Sequence, residues 1–264
     1  MKPKRPIIPF ILLTCIFAII LFGGYHYYAQ PQLRESYQLA NIDDDSIRIA
    51  YIGDSWAFMH KDRECLIPKL LSDTLHSPVR VYSYGICGLT SKEIYDNFYK
   101  NSGFIFFLNK RKYHYCFISA GINDTYKKMS TTYYQKSMEG IIAFLLANHI
   151  HPIILEIPDY DIQKSYDRQR LSRKFLRRIS MLITGCPIDC KQMFRDALDE
   201  LISEKGYQDK VSVIRYKSWN NDYSNDQNQL YLNDGLHLNK QGYAKLDSVI
   251  AKEILKLYQQ QTVY

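Results

Sequence analysis

The sequence predicts an α/β fold: a three-layer α/β/α sandwich around a five-stranded parallel sheet, preceded by an N-terminal transmembrane helix. Two observations carry this. Short β-branched runs alternate with longer stretches of helical periodicity along most of the chain, the pattern of a parallel sheet covered on both faces. Ahead of them, residues 6–25 hold no charge, and residues 7–22 are almost wholly aliphatic and aromatic.

That apolar run matches the ~30 Å hydrocarbon core of a bilayer. Lys2, Lys4 and Arg5 precede it, which predicts a cytoplasmic N-terminus and places the rest outside. Tyr25, Tyr27 and Tyr28 suit an aromatic belt at the outer interface. A cleaved signal peptide needs small residues before the cut, and Tyr25-His26-Tyr27-Tyr28-Ala29 offers bulky ones. A lipoprotein cut before Cys15 would leave an apolar start. The retained anchor is the favoured reading, with both cleavage routes left open. The organisation expected is a stub and anchor over 1–25, a stalk over 26–45 with Pro31 and the acidic run Asp43-Asp44-Asp45, and a catalytic domain over 46–264.

The first strand is expected over 47–52, continuous in apolar residues as a strand buried on both faces would be, and it breaks at Gly53-Asp54-Ser55. A helix is expected over 64–75, with Pro68 tolerable in its first turn. A second strand over 79–84 ends at Gly85, and 91–99 reads as helix. The third strand, 113–120, again ends at a glycine, Gly121. A helix over 131–147 carries Met138, Ile141, Ile142, Leu145 and Leu146 at helical spacing. The fourth strand spans 153–157 between Pro152 and Pro158. Helices are expected over 165–183 and 190–204, a fifth strand over 211–216, and a closing helix over 239–258.

The chain has 264 residues, 46% hydrophobic and 23% charged, with formal net charge +7. This is ordinary globular composition. The charge is uneven: Lys164, Arg168, Arg170, Arg173, Lys174, Arg177 and Arg178 crowd one segment against Asp167 alone. No nucleic-acid-binding motif accompanies them, so that class of partner is not expected. The basic segment reads as a solvated helix face, a surface for an anionic polymer, or a contact with anionic lipid. Arg170, Arg173, Lys174 and Arg177 recur at three- and four-residue steps and should share a helix side.

Of the six cysteines, Cys15 lies in the anchor. Cys87 and Cys116 read as small buried hydrophobes, and Cys186 and Cys190 could close a small loop disulfide in an oxidising compartment. A zinc site needs four ligands, and no histidine stands near these cysteines at ligand spacing. No metal or organic cofactor is called for.

The strand ends carry the chemistry. In open α/β sheets, ligands sit outside the carboxyl ends of the strands. Those ends read Gly53-Asp54-Ser55, then Gly85-Ile86-Cys87-Gly88-Leu89-Thr90, then Gly121-Ile122-Asn123-Asp124, and Asp234-Gly235-Leu236-His237 precedes the last helix. In isolation each has a bland reading: Ser55 as a helix cap, and Asn123-Asp124 and Asp234-Gly235 as turns. In this order they resemble the SGNH (GDSL-type) hydrolase family, whose motif blocks frame residues 47–258.

The resemblance implies a serine esterase. Ser55 would be the nucleophile, His237 the base that takes its proton, and Asp234 the partner that fixes the imidazole tautomer. The backbone N–H groups of Ser55 and Gly88 and the side-chain amide of Asn123 would form the oxyanion hole. The second block departs from the family pattern: Ser83 or Tyr84 stands where an asparagine is usual, which makes Gly85 a rival to Gly88. Asp54 and Asp124 are expected to orient loops. Trp56, Tyr84, Tyr126 and Glu156 line the pocket or pack at its rim, and His60, His76, His114, His149 and His151 lack a motif.

With the anchor, this implies an extracytoplasmic enzyme acting on acyl esters, in the first place acetyl, of a glycan. The alternatives are an acyltransferase that passes an acyl group through the same serine to a polymer, with a membrane-protein partner, and a non-catalytic glycan-binding domain.

Overall fold

The computed structural model describes residues 7–28, 46–61, 65–99, 103–220 and 222–262. The basic stub and most of the expected stalk, residues 29–45, lie outside these. The sheet consists of β1 (Ile47–Gly53), β2 (Val79–Gly85), β3 (Tyr115–Ser119), β4 (His151–Leu155) and β5 (Ser212–Ile214). All pairings are parallel, in the order β2-β1-β3-β4-β5. The order reverses between β1 and β3, so the crevice at their carboxyl ends is where a ligand is expected. β1 and β3 are buried at every position, which explains their lack of polar alternation.

The helices are α1 (Ile7–Tyr28), α2 (Ser55–His60), α3 (Ile67–Leu75), α4 (Ser91–Tyr99), α5 (Gly103–Leu108), α6 (Ile122–Lys127), α7 (Thr131–Ala147), α8 (Ile162–Asp167), α9 (Leu171–Thr184), α10 (Lys191–Glu204), α11 (Tyr223–Leu230) and α12 (Lys240–Thr262). The short α2, α5, α6 and α11 fall below the length at which apolar periodicity identifies a helix. Helix α7 keeps its expected bounds, because a long apolar stripe and a Ser130 cap, whose hydroxyl accepts from the Tyr133 N–H at 3.2 Å, agree. Strand β4 starts earlier than expected and contains Pro152. That residue pairs with Cys116 of β3, whereas β5 joins β4 only from Ile153 onward. Pro152 therefore stands where one flank of the strand has no ladder to interrupt.

The expected basic helix is two helices, α8 and α9, broken at Arg168–Arg170. Arg173, Lys174 and Arg177 fall on one side of α9 by their spacing, but they do not share an environment. Arg177 is buried, stacked on Tyr126 with 4.2 Å from guanidinium carbon to ring centre, while Arg170 and Arg173 are exposed. The cysteines also differ from expectation: all are free thiols, including Cys186 and Cys190, and Cys87 is exposed in the loop after β2.

Helix α1 has 22 residues and packs near its C-terminal end on α9, where a Cβ on Gly23 would lie 3.0 Å from Ile183. The expectation of a spanning segment is met only as a helix. Among the described residues no helix is long and apolar enough to cross a membrane.

One backbone position constrains the sheet end. Gly53 has φ +151°, and a Cβ there would lie 2.1 Å from the Ser119 carbonyl oxygen. Gly53→Ala is expected to lower stability by about 3 kcal/mol from strain and overpacking together. Urea unfolding compared with Gly24→Ala, whose Cβ meets nothing within 4 Å, checks this.

Candidate active site

Because Gly53 has no side chain, β1 passes close to β3, and the Asp54 N–H donates to the Ser119 carbonyl at 3.2 Å. Asp54 then caps α2: its Oδ1 accepts from the Trp56 N–H at 3.0 Å and from the Ser119 hydroxyl at 3.2 Å. Ser55 is thus the first helical residue and not the cap, so the bland reading of this serine falls to its neighbour. Burial pushes the Asp54 carboxyl up to about 7, against hydrogen bonds from Trp56 and Ser119 that lower it.

The loop before α12 is held in a tight loop by its own polar groups. Tyr231 and Leu238 form an isolated antiparallel bridge, and Gly235 takes φ +69°, the left-handed region glycine occupies at no steric cost. Asp234 Oδ1 accepts the backbone N–H groups of Leu236 (2.9 Å) and His237 (3.0 Å), and Oδ2 lies 2.6 Å from His237 Nδ1. Burial raises the Asp234 carboxyl, but these bonds outweigh it and hold it below the usual carboxylate range. An ionised carboxylate at Nδ1 keeps the proton on that nitrogen and leaves the Nε2 lone pair free. Nε2 lies 2.9 Å from Ser55 Oγ, across 182 residues of sequence.

The other strand ends close on the same place. After β3, Gly121 (φ +105°) turns the chain into α6, which carries Asn123. The Asn123 amide donates to the Leu89 carbonyl at 2.9 Å and reaches Asp54 Oδ2 at 3.5 Å. The buried Asp124 accepts from the Ser91 N–H (2.8 Å) and hydroxyl (2.6 Å), tying the start of α4 to α6. Burial raises its carboxyl to about 6. Gly88 and Gly85 have separate surroundings. A Cβ on Gly85 would lie 2.1 Å from the Phe58 N, so this glycine lets β2 pack under α2. Gly88 has φ +81° with open space at its Cβ position.

Among the suggested lining residues, Tyr126 borders a cavity of about 640 Å3 that reaches Asp234 and Leu236. The other three pack. Trp56 is buried against Trp219 with ring centres 5.7 Å apart, Tyr84 stacks on Phe107 at 5.4 Å, and Glu156 pairs with Arg215 at 2.8 Å.

One group escaped the motif search. His60 Nδ1 lies 2.9 Å from Ser83 Oγ and its Nε2 2.9 Å from Asp247 Oδ1, while Asp247 Oδ2 accepts the Leu66 N–H at 2.8 Å. An aspartate on the apolar stripe of the last helix, between Leu246 and Ile250, was the available signal. Among the described residues His60, Cys65 and Asp247 bring ligand atoms within 4.8 Å. Both nitrogens and both oxygens already have protein partners, so the group reads as a buried tie between α2, α3 and α12.

The family model of the GDSL-like lipase/acylhydrolase family matches residues 51–245. The chain belongs to this family. No curated protein matches it. Solved structures of similar fold include a lipase/acylhydrolase from Enterococcus faecalis, at 19% identity and TM-score 0.51, covering 79% of this chain and 95% of its own. The psychrotrophic esterase EstA from Pseudoalteromonas sp. is similar at 15% identity and TM-score 0.54, covering 82% and 100%. A GDSL-like lipase from Bacteroides thetaiotaomicron is similar at 17% identity and TM-score 0.50, covering 80% and 88%. The chain is a serine hydrolase of the SGNH type, an esterase or acylhydrolase, with a three-layer α/β fold.

The raised Asp54 carboxyl has a measurable consequence. A buried acid whose pKa rises from 3.8 unfolded to about 7 folded binds more protons in the folded state between those values. Stability is then highest below about pH 4 for this group and falls as pH rises to about 7. The expected outcome is that Asp54→Asn, which keeps an acceptor for the Trp56 N–H, loses less melting temperature between pH 5 and 8 than the wild type in calorimetric scans.

Proposed function

We propose that this protein is a membrane-anchored, extracytoplasmic serine esterase that removes acyl groups, in the first place acetyl, from a glycan. The observation that carries the catalytic part is the unbroken relay from Asp234 through His237 to Ser55, at 2.6 and 2.9 Å. Ser55 Oγ attacks the ester carbonyl as its proton passes to His237 Nε2, and the carbonyl oxygen becomes an oxyanion. Asp234 stabilises the imidazolium that forms. The N–H groups of Ser55 and Gly88 and the Asn123 amide take the oxyanion. For Asn123 this means exchanging its longer contact, 3.5 Å to Asp54, for the substrate oxygen, while the bond to Leu89 keeps it in place. The imidazolium then protonates the leaving alcohol, and a water activated by His237 releases the acid from acyl-Ser55.

Hydrolysis is favoured over transfer because the relay is open to water: the His237 and Asp234 side chains are 22% and 43% exposed. An acyltransferase needs a partner or acceptor to cover that opening. A non-catalytic glycan-binding role would leave this relay without use.

The anchor reading rests on the uncharged run over residues 6–25, on Lys2, Lys4 and Arg5 before it, and on apolar residues of α9 that face outward. Leu171 and Leu182 are 84% and 86% exposed, as suits an interfacial helix with cations around it. On this reading residues 1–25 are stub and anchor, 26–45 the stalk, and 46–264 the catalytic domain.

Purified protein should hydrolyse 4-nitrophenyl acetate, and Ser55→Ala should fall to background and lose labelling by a fluorophosphonate. Turnover that survives Ser55→Ala would sink the serine mechanism. Asn123→Ala is expected to cost about 10²–10³ in kcat with little change in KM, as for loss of an oxyanion donor. Carbonate extraction of cell membranes checks the anchor: the full chain should stay with the pellet, and a chain beginning at residue 46 should not.

A further inference from the structure

The cavity beside the triad has a wall that ester hydrolysis does not require. Asp234 and Leu236 of the catalytic loop line it together with Arg168, Arg170, Arg173 and Gln169. Arg168 ends α8, Arg170 is the N-cap of α9, and Arg173 lies in the first turn of α9. All three arginines are exposed into this space. Among the described residues none of them has an ion-pair partner, and the nearby carboxylates are engaged elsewhere. Asp161 accepts the Lys164 N–H at 2.8 Å, Asp167 accepts from Gln163 at 3.1 Å, and Asp234 holds His237.

The local backbone adds to the excess. The first turn of α9 has no acidic residue, and Arg170 supplies no side-chain cap, so cations stand at the end of a helix that favours anions. Gln169 donates its amide to the Tyr126 hydroxyl, which joins two lining residues of the cavity.

We propose that this cavity binds an anionic group of the acylated substrate, a carboxylate or phosphate. The three arginines take its charge. The site would hold such a group beside the scissile ester and so select acidic substrates over neutral ones. Its part in turnover rests on the esterase reading; its binding does not.

The test uses the full chain in detergent, in the Ser55→Ala background for binding. Polygalacturonate is the probe for a sugar acid, and phosphatidylglycerol vesicles against phosphatidylcholine are the probe for a lipid phosphate. Arg168→Gln/Arg173→Gln is compared with Lys69→Gln/Lys210→Gln, which removes the same charge from exposed positions elsewhere. Calorimetry should show affinity for one anionic probe falling about tenfold or more in the arginine variant and by under about twofold in the lysine variant. Which probe shows it identifies the source of the anion. Arginine and lysine variants that lose affinity equally, or no arginine-dependent binding of either probe, would overturn the site. With active enzyme, the kcat/KM ratio of acetylated polygalacturonate to 4-nitrophenyl acetate should fall about tenfold in the arginine variant. Failure to hydrolyse the nitrophenyl ester would count against the esterase reading alone, since the binding measurements still decide the site.

Discussion

The buried carboxylate of Asp54 is the contact on which the rest of the site depends, although it moves no proton in the reaction. A carboxylate removed from water is tolerated only where hydrogen bonds replace the lost solvent. Those available here come from separate parts of the fold: Trp56 in α2, Ser119 at the end of β3, and Asn123 in α6. Satisfying one buried group therefore fixes the first turn of α2, where Ser55 stands, against the strand end that leads to Asn123. Gly53 is the complement of this arrangement. Without a side chain, β1 can approach the Ser119 carbonyl closely enough for Asp54 to enter the cluster at all.

The second half of the site is held from a distance. His237 comes from the loop before α12, and two buried contacts further along α12 set where that loop falls. The Tyr243 hydroxyl donates to the Trp56 carbonyl at 3.0 Å, and Asp247 meets His60 at 2.9 Å. Both partners lie in α2, the helix that begins with Ser55. The nucleophile is thus mounted on α2 and the base on a short loop leading into α12, and the two helices are pinned together beneath the site, which sets the 2.9 Å separation of Ser55 and His237. The strand order supplies the other condition. Because β1 and β3 are neighbours at the switch point, the nucleophile and the Asn123 donor emerge side by side.

How far this was legible in the sequence follows from the range of each interaction. Ser55 and Asn123 follow glycines at the ends of apolar strands, Asp234 and His237 precede the last helix, and each has a bland reading alone; their order along the chain made them legible together. Helix α7 was legible to the residue, since its cap and its apolar stripe are local. Interactions that form only after folding were not legible. The His60–Asp247 tie joins residues 187 apart with no motif to announce it. Pro152 inside β4 depends on where β5 happens to begin. Arg177 was grouped with its charged neighbours because spacing cannot show that Tyr126 and Tyr166 wait on the inner side of α9. The close approach of β2 to α2 at Gly85 is a distance that no local pattern contains.

On the proposed reading, helix α9 would carry both recognition and membrane apposition. Its first turn contributes the arginine wall of the cavity, and its last turn packs on α1 through Ile183 and Gly23. The helix has 14 residues, so these ends lie about 20 Å apart. The groups that perform the chemistry come from β1, β3 and the start of α12, whereas α8 and α9 form an excursion after β4 that none of the triad passes through. Charge on this excursion can therefore change without disturbing Ser55, His237 or Asp234. If α1 stands in a bilayer, the same helix holds the mouth of the site within about 20 Å of the interface. A substrate then has to be one that reaches so near the surface, which narrows the choice by position before any residue in the cavity acts on it.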